Sequence, residues 1–315
     1  MKRPSARAVL FAPVLAGAVL AAALAPAQEK PRGITREVSV TAVTIAVSVK
    51  DRSGRDVTNL TARDFSVFEN GAPKTINYFS YASEAPVSLT VLLDVSGSMA
   101  LLDKLQECRG VLRSAVSFSL RPRDEVSLLL FADGQVEVAA PFATDKAGFQ
   151  AALNAAEAYG QTALNDAVAV SPEFANRGRN EKRALVLITD GIENDSRLTP
   201  DAAAEIARRV DVPIFTIGYK IPASELLLLE YKRAGGLTQA GIVESLRKFA
   251  EATGGKAYVL GAPAELAAAL REILRDLSHE YILGYTTYGD SRDEYRKITI
   301  LTANKRYRVR TRQGY

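Results

Sequence analysis

The stretch Val87-Ser88-Leu89-Thr90-Val91-Leu92-Leu93-Asp94-Val95-Ser96-Gly97-Ser98 decides the fold of this chain. Its run from Val87 to Leu93 is largely apolar, which predicts a strand that is buried on both faces. The Asp-x-Ser-x-Ser that follows places a carboxylate and two hydroxyls at alternate positions, directly before a helical pattern. Open α/β sheets bind ligands at the carboxyl ends of their strands, and such oxygen donors suit a hard divalent cation. The stretch therefore predicts an α/β fold with a cation site at the carboxyl end of its sheet.

From Val87 onward, buried strands alternate with amphipathic helices, a pattern typical of a doubly wound, mostly parallel six-stranded sheet with helices on both faces. Strands are predicted near 87–94, 125–131, 135–140, 184–190, 212–218 and 256–260, and helices near 101–119, 145–158, 163–174, 200–210, 243–253 and 263–277. The first helix carries a helix-period stripe of Leu101, Leu105, Cys108, Leu112 and Ala115. We therefore interpret Cys108 as a buried structural thiol. The leucine run at 226–229 predicts a short packed helix, with an exposed contact patch as the alternative.

Both ends of the mature chain have the period of β-strands. Apolar residues alternate with polar ones from Val43 to Val49, and Asn70-Gly71 between two further runs, 65–68 and 76–79, predicts a hairpin. Beyond Leu277, strands are predicted at 281–285, 296–302 and 306–312. We expect these terminal strands to pair into one β-sandwich, with the α/β domain inserted within it.

The beginning of the chain predicts a secretory signal peptide. Three basic residues, the last of them Arg7, precede an uncharged apolar stretch from Ala8 to Leu24, and Ala25-Pro26-Ala27 matches a cleavage pattern. An uncleaved membrane anchor is the alternative, since the apolar stretch is close to the roughly 17-residue minimum for a span. Either outcome predicts a secreted, periplasmic or envelope-attached protein.

The composition indicates a globular protein and argues against nucleic-acid binding. Of 315 residues, 47% are hydrophobic and 24% charged, a balance typical of folded domains. The formal net charge is +4, but three of these charges belong to the signal peptide, and no basic stripe with interleaved aromatic residues stands out. We expect four segments: a signal peptide at 1–27, a β segment at 28–84, an α/β domain at 85–278 and a β segment at 279–315.

Two downstream motifs can complete the cation site. Thr162 lies in Tyr159-Gly160-Gln161-Thr162-Ala163-Leu164, and Asp190 follows the apolar run Leu185-Val186-Leu187-Ile188-Thr189. Each candidate ligand also has a local alternative: the two serines could cap the first helix, Thr162 the third, and Asp190 could form a turn. Five such residues in order, each predicted in a loop on the carboxyl side of the sheet, favour one shared metal site.

The five candidate ligands resemble, in the same order, the metal-ion-dependent adhesion site of von Willebrand factor A-type domains: Asp94, Ser96, Ser98, Thr162 and Asp190. The resemblance covers about residues 87–277 and implies a von Willebrand A-type fold for the 85–278 domain. Segments outside that domain are similar to the flanks of secreted bacterial proteins described as VWFA-related, namely Thr61-Ala62-Arg63-Asp64-Phe65-Ser66-Val67-Phe68-Glu69-Asn70-Gly71, Tyr281-Ile282-Leu283-Gly284-Tyr285 and Arg312-Gln313-Gly314-Tyr315.

The resemblance implies a role for each ligand. Ser96, Ser98 and Thr162 would contact Mg²⁺ or Mn²⁺ directly, while Asp94 and Asp190 would hold its water molecules. Because Mg²⁺ keeps waters in a near-octahedral shell, such a site leaves a position for an outside oxygen. The sequence thus predicts a non-catalytic module that binds an Asp or Glu of a protein partner and has no small-molecule substrate. The alternative is a structural assembly protein, including a homo-oligomer, in which the metal only stabilises the fold.

A serine hydrolase is a third reading of the same residues. Ser96, Asp190 and His279, the one histidine of the chain, occur in the chain order of an α/β-hydrolase triad. However, Ser96 lacks the first glycine of the G-x-S-x-G turn that exposes such a nucleophile. With one histidine and one cysteine, the chain also offers no set of soft ligands for zinc.

Overall fold

The computed structural model describes residues 40–81, 83, 85–223, 238–288 and 295–315. The predicted signal peptide and the leucine run at 226–229 lie outside the described residues. The strands are β1 (Val40–Lys50), β2 (Phe65–Glu69), β3 (Ala72–Lys74), β4 (Ile76–Tyr81), β5 (Val87–Asp94), β6 (Glu125–Ala132), β7 (Gln135–Ala143), β8 (Lys182–Thr189), β9 (Ile214–Tyr219), β10 (Ala257–Leu260), β11 (Tyr281–Tyr288), β12 (Ile298–Thr302) and β13 (Arg308–Arg310). The α-helices are α1 (Lys104–Ser119), α2 (Ala147–Ala155), α3 (Leu164–Ala175), α4 (Pro200–Ala207), α5 (Gln239–Thr253) and α6 (Pro263–Ser278). Among the described residues, no helix combines the length and apolar character that crossing a membrane requires.

The central sheet has the order β10-β9-β8-β5-β6-β7. Its neighbouring strands are parallel except for the antiparallel pair β6 and β7, which confirms the predicted, mostly parallel six-stranded sheet. Every residue of β5 is buried, as expected for a strand covered on both faces. The chain adds β6 on one side of β5 and later returns to place β8 on the other side. The crevice at this switch point is where open α/β sheets bind ligands.

Helices cover the sheet on both faces, as the sequence predicts. Apolar side chains of α1, α2 and α6 form one core against it, and those of α3, α4 and α5 form the other. Local signals explain several helix ends: the Thr199 hydroxyl accepts a hydrogen bond from Ala202 N at the start of α4, and Gly254 ends α5 with a φ of +83°.

The start of the first helix differs from the prediction. Residues 97–103 form a 3₁₀ segment with left-handed backbone at Leu102 and Asp103, and α1 begins only at Lys104. Leu101 is 47% exposed, so its assignment to the buried stripe is wrong, because the helical period does not extend to a residue outside the helix. Cys108 is buried within α1, as predicted.

Strands from both ends of the chain pair in two antiparallel sheets, β13-β1-β11-β4 and β12-β2-β3. The sheets enclose a shared core that includes Ile45, Phe65, Tyr281 and Ile300. This pairing confirms the expected sandwich, with the α/β unit inserted between β4 and β11.

The Asn70-Gly71 turn forms the predicted hairpin, but with a different second strand. Both turn residues have positive φ, +50° and +81°, which suits a two-residue hairpin turn. The turn places Ala72 opposite Glu69, so β3 pairs with β2. The 76–79 run, predicted as the second strand, instead pairs with β11 in the other sheet.

Charged side chains join the sandwich to the α/β unit near the amino ends of the central strands. Lys50 Nζ lies 2.7 Å from Asp276 Oδ1 near the end of α6. Arg310 Nη2 lies 3.4 Å from Glu280 Oε1, and Glu280 is 3% exposed. Glu280 also borders a cavity of about 250 Å³ between β1 and the starts of β8 and β9. Folding therefore buries a carboxyl group at this junction.

Candidate metal centre

Asp94 is the last residue of β5 and is completely buried. Its Oδ1 accepts a hydrogen bond from Ser96 N at 2.8 Å, which turns the chain immediately after the strand. Its Oδ2 accepts one from the Thr189 hydroxyl at 2.5 Å, because β8 is the direct neighbour of β5. The carboxylate is thus fixed in orientation at the switch point. Thr189 was not among the predicted site residues, although it directly precedes Asp190.

The two serine hydroxyls face each other in the loop after β5. Ser96 Oγ and Ser98 Oγ are 3.2 Å apart and both side chains are buried. Ser96 makes no side-chain capping bond to the 3₁₀ segment, and the residue that precedes α1 is Asp103. The capping alternative for these serines is therefore wrong, since α1 begins too late in the chain for them to cap it.

The loop that carries Thr162 is bound to the serine loop through the backbone. Gly97 N donates to Gly160 O at 3.0 Å, and Tyr159 N donates to Val95 O at 2.8 Å. Gly160 has a φ of +66°, and a Cβ there would lie 2.1 Å from Asp133 Oδ1. Glycine is therefore required for this close approach.

Thr162 itself connects this loop to the loop after β8. Its carbonyl accepts hydrogen bonds from Asn194 N and Asp195 N, each at 3.1 Å. Its side chain is buried, and α3 is capped at Ala163 rather than at Thr162. The structure therefore brings the threonine loop beside both carboxylate-bearing strand ends, and the capping alternative for Thr162 is wrong.

Asp190 follows β8 and is completely buried. Its Oδ1 accepts a hydrogen bond from Ile192 N at 3.1 Å, so the predicted local turn is present. Its Oδ2 accepts one from Lys104 Nζ at 2.5 Å. Sequence reasoning missed Lys104. The available signal was its position four residues before Cys108, on the buried side of a helix.

The two carboxyl groups influence each other electrostatically. Burial raises the pKa of Asp94, and the nearby charge of Asp190 raises it further, while hydrogen bonds from Thr189 and Ser96 lower it. A carboxyl pair whose charges repel one another is stabilised by any cation placed between its members. Repulsion between the two carboxylates therefore favours a cation beside them, and Lys104 already supplies one positive charge at Asp190.

The donor set fits a hard divalent cation. Adjacent oxygens in an octahedral Mg²⁺ shell are about 3 Å apart, because each lies 2.0–2.1 Å from the ion, and the serine hydroxyls are 3.2 Å apart. The described residues contain no group of three or more His, Cys, Asp and Glu side chains that could hold a metal. A cation here would therefore need the two serine hydroxyls beside the two aspartates, and a ligand role for the Thr162 hydroxyl stays a prediction.

The hydrolase triad is not assembled. His279 follows α6, and Lys182 Nζ donates to the adjacent Ser278 carbonyl at 2.8 Å. Lys182 is the first residue of β8, and Asp190 follows the last. The backbone beside His279 and the backbone of Asp190 are therefore separated by the length of this strand, about 26 Å. His279 Nδ1 instead lies 3.1 Å from the Tyr81 hydroxyl. The histidine is therefore at the opposite end of the sheet from Ser96.

Comparison with known proteins agrees with this architecture. Residues 89–193 match the family profile described as von Willebrand factor type A domain. The central unit has the von Willebrand A-type fold. A solved von Willebrand factor type A protein from Catenulispora acidiphila is similar with a TM-score of 0.50 and 13% identity, over 82% of this chain and 70% of that one. The conserved hypothetical protein BatB from Bacteroides thetaiotaomicron is similar with a TM-score of 0.48 and 17% identity, over 61% of this chain and 98% of that one.

A curated relative extends the comparison to sequence. An uncharacterized protein of Borreliella burgdorferi is 23% identical over 231 residues, which cover 69% of this chain. The chain spans 66% of the length of that relative.

Proposed function

We propose that this protein is a non-catalytic, metal-dependent binding module that recognises an acidic side chain of a protein partner. The observation that carries the proposal is the convergence of Asp94, the two serines and Asp190 at the β5/β8 switch point. Thr162 approaches the same end of the sheet through its loop.

The chemistry of these residues supports binding of Mg²⁺ or Mn²⁺. Ser96, Ser98 and Thr162 would supply neutral oxygens, and Asp94 and Asp190 would supply the negative charge, in part through water. The ion would act as a Lewis acid that accepts an oxygen from outside the protein. Because only two carboxylates face it, the ion would still attract a third from a partner, whereas an all-carboxylate shell would repel one.

The proposed location follows from the first 27 residues. A basic start, an apolar stretch and an Ala-x-Ala sequence are typical of export signals. We place the working protein outside the cytoplasm, either secreted or attached to the cell envelope.

The metal site is tested by titrating Mn²⁺ into the wild-type protein and into Asp94→Asn by calorimetry. The substitution keeps the size of the side chain but removes its charge, so we expect affinity to fall by about 10- to 100-fold. Asp124→Asn is a matched control, because Asp124 is also buried and accepts two backbone hydrogen bonds, from Val87 N and Arg121 N, at the other end of β5. The control should bind Mn²⁺ as the wild type does. Equal affinity in Asp94→Asn, or no binding to the wild type, would contradict the proposal.

EDTA treatment of a complex between this protein and its partner distinguishes an ion that binds the partner from an ion that only stabilises the fold. Removal of the ion by EDTA should dissociate the complex, and Mg²⁺ should restore it. If binding instead survives EDTA while the melting temperature falls, the ion only stabilises the fold, as in the alternative of a structural assembly protein.

A further inference from the structure

The candidate metal centre contains a cation of its own. Lys104 Nζ lies 2.5 Å from Asp190 Oδ2, with the lysine side chain 3% exposed and the aspartate completely buried. Breaking such a buried pair leaves an uncompensated charge, which makes it costly. The ammonium group is therefore a fixed part of the charge distribution around the site, unlike an exposed surface lysine.

Internal donors already satisfy all four carboxylate oxygens of the site. Asp190 accepts from Lys104 and Ile192 N, and Asp94 accepts from Ser96 N and Thr189. Of these donors, only Lys104 carries a charge. A divalent cation bound here would therefore share the negative charge of Asp190 with the ammonium group.

The net charge of the site depends on Lys104. With both aspartates ionised, Lys104 brings the site to a net charge of −1, and a divalent cation would bring it to +1. One carboxylate from a partner would then neutralise it. Without the lysine, the same ion would already give a neutral site, and a further carboxylate would make the net charge negative.

We infer that Lys104 determines the specificity of this site by opposing the divalent cation on its own and favouring the cation together with a carboxylate ligand. The inference rests on the proposed function, because it concerns the same ion and the same kind of partner. Binding of the metal and binding of an acidic ligand are then positively coupled, and Lys104 of α1 sets the coupling.

The test measures Mn²⁺ affinity by calorimetry in wild type and Lys104→Gln, in chloride and then in acetate at equal ionic strength and fixed pH. Glutamine keeps N–H donors but carries no charge. We expect Lys104→Gln to bind Mn²⁺ at least about tenfold more tightly in chloride, because the like-charge repulsion is removed. We also expect acetate, the carboxylate probe, to tighten Mn²⁺ binding more in the wild type than in the variant.

Two controls separate charge from shape and from position. Lys104→Arg keeps the charge and should retain the weaker Mn²⁺ affinity of the wild type. Lys248→Gln removes a lysine that also pairs with an aspartate, Asp201, but at an exposed site, and it should leave Mn²⁺ affinity unchanged. Melting curves in EDTA show whether each variant is folded. If Lys104→Gln is unfolded in EDTA, its apparent Mn²⁺ affinity includes the free energy of folding, and the difference between the two proteins in the effect of acetate alone decides the inference.

Different results would overturn the role of Lys104 and the metal site itself. If both proteins are folded in EDTA and Lys104→Gln binds Mn²⁺ no more tightly than the wild type, the inference is overturned and the metal site stands. An equal effect of acetate on both proteins likewise overturns it. If neither protein binds Mn²⁺, both the metal site and the inference fail.

Discussion

Replacement of Glu280 by Gln is expected to change how the stability of the protein depends on pH. Burial raises the pKa of Glu280 to about 7, although the charges of Arg310 and Lys182 lower it. The ordinary value for a glutamate is 4.5. The folded protein therefore binds a proton at pH values where the unfolded chain has released it.

The direction and size of the effect follow from this difference. Between pH 4.5 and about 7, the folded state holds more protons than the unfolded state, so the free energy of unfolding falls as pH rises. Each pKa unit corresponds to about 1.4 kcal/mol. The raised pKa of Glu280 therefore costs about 3 kcal/mol above pH 7 and close to nothing below pH 4.5.

Urea unfolding of the wild type and of Glu280→Gln at a series of pH values measures the contribution of Glu280 to the free energy of unfolding. The difference in unfolding free energy between the two proteins removes contributions of other titrating groups. We expect the variant to gain stability relative to the wild type as pH rises, by about 3 kcal/mol across the window. A constant offset at all pH values would report altered hydrogen bonds and does not affect the expected slope.

Glu173→Gln is the matched control, since Glu173 is an exposed residue of α3. Its difference profile should be nearly flat over the same pH range. A flat profile for Glu280→Gln, or one in which the variant loses relative stability as pH rises, would refute the assignment of a buried carboxyl group with a raised pKa at this junction.

Two further predictions concern Gly160 and Cys108. Gly160→Ala is expected to lower the unfolding free energy by about 3 kcal/mol, because a Cβ at positive φ is strained and would also displace Asp133. It should weaken Mn²⁺ binding as well. Urea unfolding checks the first effect, and Gly148→Ala, where the new Cβ meets nothing within 4 Å, should show no such loss. Burial raises the pKa of the Cys108 thiol to about 12, so a thiol reagent should label it only after unfolding. Rapid labelling of the native protein would show that the thiol is accessible.

The local pattern of the sequence was enough to predict most of the fold. A continuous apolar run predicts β5, because only a strand covered on both faces buries every side chain. Asn70-Gly71 predicts a hairpin, because both positions require positive φ. The pattern failed where these rules stop applying: Leu101 follows the spacing of a helix that has not yet begun.

The candidate site was predicted only in part. The sequence predicts Asp94, Ser96, Ser98, Thr162 and Asp190 because their oxygens lie in loops on the carboxyl side of the sheet and match, in order, the adhesion-site motif of A-type domains. Metal binding by them stays a prediction. Thr189 and Lys104 were missed. A threonine at the end of a strand and a lysine at the start of a helix are ordinary in sequence, and their roles depend on partners from distant parts of the chain.

The sequence by itself determined the strands, the helices and the oxygen-bearing residues at the strand ends, because periodicity and turn chemistry act over a few neighbouring residues. Tertiary structure alone decided that Lys104 pairs with Asp190, 86 positions away, and that Glu280 is buried beneath the sandwich. Charge and burial at these positions depend on which distant elements pack together. The electrostatic character of the site is therefore a property of the assembled fold.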